Sequence, residues 1–195
     1  IVLSMQRLNT IGNVDRLALQ VSVDAGVTIE QLQTAAASHG LRYGVDFGGR
    51  GSATVGGTIA TNAGGLNVLR HGMTRAQVIG VEVVLGTGDI IDLMSGLVKN
   101  NTGYSIPDMM CGSEGTLGVI TSAVLRIHRR PESRFFAAHA LPDLPAALRA
   151  VRLLLREEVL PSAMRVYDGV LAKRHLNENV CDDGEAVLLV ATAGP

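Results

Sequence analysis

Phe47–Gly72 reads FGGRGSATVGGTIATNAGGLNVLRHG, with glycine at positions 48, 49, 51, 56, 57, 64, 65 and 72. Between Phe47 and His71 the only charged side chains are Arg50 and Arg70. Ordering glycine costs more chain entropy than ordering any other residue, so such a cluster needs a compensating return. Tight turns, close packing of elements, or a ligand lying on bare main chain each supply one. Main-chain N–H groups along Gly56–Gly57 and Asn62–Gly65 are expected to be open to an anion or a flat ring. No Gly-x-Gly-x-x-Gly opens a helix after a strand, and no Gly-Lys-Ser/Thr occurs. A doubly wound nicotinamide-binding domain and a P-loop ATPase are therefore disfavoured.

On the N-terminal side, LALQVSVDAG (17–26) alternates, with Leu17, Leu19, Val21 and Val23 on one face, and predicts a half-buried strand. TIEQLQTAAASHG (28–40) predicts a helix. Thr28 and Gln31 form a capping-box pattern, Ile29, Leu32 and Ala36 recur at helical spacing, and Gly40 stands at the C-terminal cap. His39 ends that helix, where a cation complements the dipole. On the C-terminal side, VIGVEVVLGTGDIIDL (78–93) is two apolar runs around Gly-Thr-Gly-Asp and predicts a β-hairpin. GSEGTLGVIT (112–121) then surrounds one carboxylate, Glu114, with glycines. It leads into an alternating strand with Val119, Thr121, Ala123, Leu125 and Ile127 on one face.

Composition shifts at Arg129-Arg130-Pro131-Glu132-Ser133, which marks a boundary. Beyond it FFAAHAL predicts a strand, 143–157 a helix, Pro161 a turn, the region of Leu171 a short helix, and EAVLLVATA a strand. Such a unit does not cover both faces of its sheet, so the segment 134–195 is expected to be the truncated beginning of a domain. IVLSMQRLN at the start has no basic segment followed by a long apolar run, so it is not read as a signal peptide.

At 47% apolar and 18% charged residues the chain can bury a core. Aromatics at 3% leave too few stacking platforms for single-stranded nucleic acid. A net charge of −1 provides no basic field for nucleic acid or anionic lipid. No apolar stretch reaches membrane-spanning length. Cys111 and Cys181 are far apart and read as unpaired thiols in a reducing, cytoplasm-like compartment. His128, His139 and His175 lack ligand spacing, and no metal site is expected. His71 follows the glycine stretch and is a candidate to face a bound ring. Arg165, in SAMRVYDG, reads either as a carboxylate anchor or as a structural residue.

Taken together, GRGSATVGGTIATNAGGLNVLRHG, NNTGY and GSEGTLGVIT, in this order and spacing, resemble the FAD-linked oxidases and dehydrogenases with a vanillyl-alcohol-oxidase (PCMH) type flavin domain. The resemblance runs from about Leu17 to Pro131. It is nearest to the branch that oxidises D-2-hydroxy acids such as D-lactate, glycolate and D-2-hydroxyglutarate. It implies an α+β fold: the second half of the FAD-binding domain over 17–131, with a mixed or antiparallel sheet flanked by helices. A ferredoxin-like substrate cap would begin at 134, and 1–16 would be the last strand of the first FAD subdomain. It also implies a residue map for non-covalent FAD. Gly51, Ser52 and Ala53 would lie by the pyrophosphate and ribityl chain, with Gly56 and Gly57 letting the main chain pass close. Ala60, Thr61, Asn62, Ala63 and Gly64 would lie near the isoalloxazine. Glu114, Gly115, Gly118, Val119 and Ile120 would hold the adenosine half. The family's Arg-Gly-Gly-x-Thr-like pyrophosphate loop does not precede Val14, so the isolated chain is expected to retain no FAD. No catalytic residue is assigned. The implied partners are a small 2-hydroxy acid and an electron acceptor that the residues do not identify, with room for a homodimer. Two alternatives stay open: a flavin enzyme for an aldonolactone or alkylglycerone-phosphate type substrate, and a non-catalytic module that keeps the fold.

Overall fold

Asp15 makes the first turn. Its Oδ1 accepts from the backbone N–H groups of Leu17 and Ala18 at 2.9 and 2.8 Å, closing a hairpin between β1 (Ile11–Asp15) and β2 (Gln20–Asp24). Leu17 rides on that turn 98% exposed, and Leu19 adopts a φ of 55°. The strand expected from Leu17 therefore starts only at Gln20, while Val21 and Val23 are buried as the alternation requires. A computed structural model describes residues 3–194 of the chain. Within the expected 1–16 segment the strand is Ile11–Asp15, and residues 3–10 form a turn with irregular flanks; Ile1 and Val2 lie outside the described residues.

The chain divides into two compact units, Ile1–Arg130 and Pro131–Pro195. In the first, α1 (Ile29–Ala37) begins with the expected capping box. The Thr28 hydroxyl accepts from Gln31 N–H, and Gln31 Oε1 accepts from Thr28 N–H at 2.8 Å. Then follow β3 (Leu41–Tyr43), α2 (Val55–Ala60), α3 (Val68–His71), a 3-10 turn (Thr74–Gln77), β4 (Val78–Val84), β5 (Ile90–Asp92), α4 (Ile106–Met110) and β6 (Val119–Arg129). The sheet is antiparallel in the order β1-β2-β6-β4-β5, with β3 pairing separately onto β6. The β4–β5 hairpin forms where Gly-Thr-Gly-Asp placed it.

One irregularity changes a face. Glu82 pairs with Ser122 and Val83 with Ile120, so Thr121 is an extra residue on β6. A bulge of this kind resets the alternation. Ile120 turns into the core at 6% exposure, and Val119 and Thr121, expected inward, stay half-buried. Past the bulge, Ala123, Leu125 and Ile127 are buried as expected. They pack with Val21, Val23, Ile29, Leu32, Tyr43, Ile59 and Val83. Each large apolar side chain so buried contributes about 1.5–3 kcal/mol.

The second unit contains β7 (Ser133–Leu141), α5 (Leu144–Arg156), β8 (Ala163–Asp168), α6 (Gly169–His175) and β9 (Ala186–Gly194), with an antiparallel sheet ordered β7-β9-β8. Asp143 caps α5, its Oδ1 accepting from Ala146 N–H at 2.6 Å. Strand β8 was not expected, because no loop announces its end. Asp168 closes the strand and also caps α6, accepting from Leu171 N–H at 2.8 Å. The fold is α+β, two antiparallel sheets with flanking helices.

Candidate functional site

Helix α2 lies in the middle of the glycine stretch, docked end-on to the chain that leaves β2. Val55 N–H donates to Val27 O and Gly56 N–H to Ala25 O, both at 2.8 Å. The Thr54 hydroxyl accepts from Gly57 N–H at 3.3 Å and caps the helix. Val55 and Ile59 bury their side chains beneath. Adjacent glycines therefore have different tasks. A Cβ on Gly56 would stand 2.7 Å from Ala25 Cβ, so this glycine exists for close packing. Gly57 is exposed, and a Cβ there would meet only Thr54 Oγ1, at 3.1 Å.

The second glycine stretch folds against the other end of α2. Gly112 N–H donates to Ile59 O at 3.0 Å, and Glu114 N–H donates to Ala60 O at 2.9 Å. These orphan carbonyls at a helix end need donors, and a segment about fifty residues downstream supplies them. Asn62 leaves the helix with a φ of 46°, its Oδ1 accepting from Arg75 N–H at 2.9 Å. The Arg75 guanidinium reaches on to the carbonyl oxygens of Asp108 and Cys111. Arg75 thus clips the end of α2, the 3-10 turn and α4 together. Cys111 is a buried free thiol whose pKa burial pushes up to about 11, so it is not a nucleophile here.

The other sequence-predicted residues fall into four groups. Ala60, Thr61 and Asn62 meet Glu114 and Gly115 around the bonds just described; Thr61, Glu114 and Gly115 are exposed. Glu114 and Gly115 carry φ values of 50° and 78°, a tight left-handed turn. Gly51 and Ser52 lie exposed ahead of α2, and Ala53 is partly buried with its carbonyl accepting from Ile29 N–H. Gly118, Val119 and Ile120 enter β6; a Cβ on Gly118 would meet Val84 O at 2.8 Å, and Ile120 belongs to the core. Ala63 and Gly64 turn back toward α3, with Ala63 O accepting from Thr74 N–H and hydroxyl.

One expectation is corrected. The N–H groups read as open to a ligand are largely used within the chain. Those of Gly56 and Gly57 go to Ala25 O and the Thr54 hydroxyl, those of Asn62 and Ala63 to Ile59 O and Thr58 O. A helix only six residues long must be anchored at both ends to form at all, and these bonds anchor it.

Sequence reading missed a polar cluster at the C-terminal edge of the glycine stretch. His71 stacks on His128 with ring centroids 4.1 Å apart. His71 Nε2 lies 2.5 Å from Arg42 Nη2, and His128 Nε2 lies 2.7 Å from Gln77 Oε1. Burial, followed by the neighbouring basic groups, lowers both imidazole pKa values to about 4. His71 was a candidate to face a ring ligand; the ring it faces is His128. The two are 57 positions apart in sequence, and no local pattern links them.

A family profile described as FAD binding domain matches residues 1–94. Among curated proteins, the chain is 42% identical over 161 residues to D-2-hydroxyglutarate dehydrogenase of Xanthomonas citri pv. viticola, covering 81% of this chain and 34% of that protein. It is 32% identical over 198 residues to glycolate oxidase subunit GlcD of Bacillus subtilis, covering 100% of this chain and 42% of the relative. The chain thus spans well under half the length of both. Among solved structures, an alkyldihydroxyacetonephosphate synthase superposes with a TM-score of 0.81 at 24% identity, over 97% of this chain and 37% of that one. At that identity the likeness establishes the PCMH-type fold and nothing about substrate. None of the helices among the described residues is long and apolar enough to cross a membrane.

Proposed function

We propose that this chain forms part of an FAD-dependent dehydrogenase for a D-2-hydroxy acid, and that FAD lies across the exposed backbone where α2 meets the Glu114–Gly115 turn. The carrying observation is that junction. Two glycine-rich segments far apart in sequence are joined by Gly112 N–H to Ile59 O and Glu114 N–H to Ala60 O. Beside it stand Gly57, Thr61 and Gly115, exposed and with little or no side chain. A Cβ at Gly115 would meet no atom within 4 Å; its φ of 78° calls for glycine there and leaves the turn without a side chain over it. The junction is a bare ledge suited to a large flat cofactor.

Oxidising a 2-hydroxy acid removes a hydride from the α-carbon and a proton from its hydroxyl. FAD, when bound, supplies the hydride acceptor. This chain's part is to seat and orient the cofactor: Gly57 by offering no side chain, Thr61 and Glu114 by polar contact at the rim, Gly115 by presenting backbone. Non-covalent binding is consistent with His71 being held against His128 and Arg42. Free Cys111 and Cys181 suit a reducing compartment.

The names of the relatives favour hydroxy acids over an alkylglycerone-phosphate type substrate. The test is anaerobic reduction of the flavin of the complete protein by D-2-hydroxyglutarate, D-lactate and glycolate, with an aldonolactone as the contrast. Bleaching by a D-2-hydroxy acid alone is the expected result. Bleaching by the lactone alone would overturn the substrate class, and absence of flavin from the complete protein would overturn the cofactor assignment.

A further inference from the structure

The His71–His128 cluster lies on the far side of the first unit's sheet from α2. Leu125 and Ile127 of β6 and Tyr43 of β3 point into the core with Val55 and Ile59 of α2. Strand alternation then sends Arg126, His128 and Arg42 to the opposite face, where Arg42 and His128 are directly paired across the strands. His71, from the end of α3, stacks on His128 there. Hydrogen bonding fixes both tautomers. Arg42 donates to His71 Nε2, so the His71 proton resides on Nδ1. Gln77 donates its amide N–H to His71 O, so its Oε1 accepts from His128 Nε2–H and leaves His128 Nδ1 as an acceptor.

Arg42 of β3 pairs across the strands with His128 and reaches His71 Nε2, Arg126 shares the β6 face of His128 two residues earlier, Arg70 directly precedes His71 on α3, and neutral Gln77 comes from the 3-10 turn. Arg42 is 9% exposed, so its charge is held in a poorly solvated place. Arg42 and Arg70 also make contacts of their own, so the sign and position of the charge matter here rather than unused donors. A guanidinium in contact with one imidazole, with a second arginine on the same strand face as the other, is the chemistry that recognises a compact oxyanion.

We propose that Arg42, Arg126 and the stacked His71–His128 pair form a binding site for a phosphate dianion, either free or as the terminal group of a phosphomonoester, on the sheet face opposite α2. Binding is coupled to proton uptake, because the anion stabilises the imidazolium that burial, and after it the neighbouring basic groups, otherwise disfavour.

The experiment follows the histidine Cε1–H resonances of this 195-residue chain by NMR during titration with inorganic phosphate and with methyl phosphate, at ionic strength held constant with chloride. The expected result is a saturable shift of His71 and His128 alone among the five histidines, with their protonation midpoints moved upward. Arg126→Gln, at a half-exposed strand position, is expected to weaken phosphate binding about tenfold while the fold is retained. Arg152→Gln on α5 is expected to leave it unchanged. A response to both probes assigns the site to phosphomonoesters, and a response to inorganic phosphate alone assigns it to the free ion. No saturable shift with either probe, or equal binding by Arg126→Gln, would overturn the proposal.

Discussion

Neighbouring glycines in α2 are predicted to respond unequally to the same substitution. In Gly56→Ala the new methyl would stand 2.7 Å from Ala25 Cβ and 3.2 Å from Ala25 O. Carbon atoms need about 3.5–4.0 Å, so α2 must retreat by roughly 1 Å. The bonds from Val55 N–H to Val27 O and from Gly56 N–H to Ala25 O resist that retreat. Overpacking of this kind costs about 1–3 kcal/mol, and replacing helical glycine returns about 0.5–1 kcal/mol. A net loss of about 1–2 kcal/mol follows. In Gly57→Ala the only near atom is Thr54 Oγ1 at 3.1 Å, the end of a side chain that can give. There the helical gain and the disturbed cap nearly cancel, to within about 0.5 kcal/mol. Thermal unfolding followed by circular dichroism reads the difference: a fall of roughly 2–8 °C for Gly56→Ala and almost none for Gly57→Ala. In the complete protein the ranking reverses for cofactor, since Gly57→Val places its side chain on the ledge and is expected to strip the flavin. Equal destabilisation by the two alanines, or full flavin content in Gly57→Val, would refute the division of labour between them.

Asn62→Ala is expected to lower stability by about 1–2 kcal/mol, measured by urea unfolding, since it removes the acceptor for Arg75 N–H and places alanine at a φ of 46°. Gly115→Ala strains a φ of 78° without meeting any atom; a loss of about 1 kcal/mol with unchanged secondary structure by circular dichroism is expected. Acid should destabilise the first unit through His71 and His128, whose folded pKa values of about 4 lie below the unfolded value of 6.5. The unfolded chain binds protons first as pH falls, so this stability is complete above about pH 6.5 and is lost between there and about pH 4. Both rings are partly solvent-exposed, so a loss of about 1–3 kcal/mol for the pair is expected from urea midpoints across that range. His128→Gln should flatten the profile.

Much of this architecture was legible because it is written in local chemistry. The Thr28–Gln31 capping box, the Gly-Thr-Gly-Asp hairpin and the Asp143 cap each involve residues within a few positions of one another. What escaped depends on distant partners. The Thr121 bulge arises from the pairing of β6 with β4, and it alone decides that Ile120 rather than Val119 faces the core. Strand β8 exists because β9 pairs with it. Leu17 fits the alternating pattern and is still exposed, because Asp15 captures the backbone two and three residues on. The two glycine-rich stretches could be singled out from sequence, but their contact through the end of α2 could not. Nor could sequence separate Gly56, which packs on Ala25, from Gly57, which faces out.

The most direct test of the central claim is a backbone-amide NMR titration of this chain with FAD. Because the N–H groups of Gly56 and Gly57 are already engaged, the ledge offers few donors to a pyrophosphate. Binding by the isolated chain is therefore predicted to be weak, with a Kd above about 1 μM. The account predicts saturable shifts centred on Gly57, Thr61, Glu114 and Gly115, and none over β7, β8 or β9. Shifts confined to the second unit or to the His71–His128 cluster, with Gly57 and Gly115 unmoved at saturation, would contradict it.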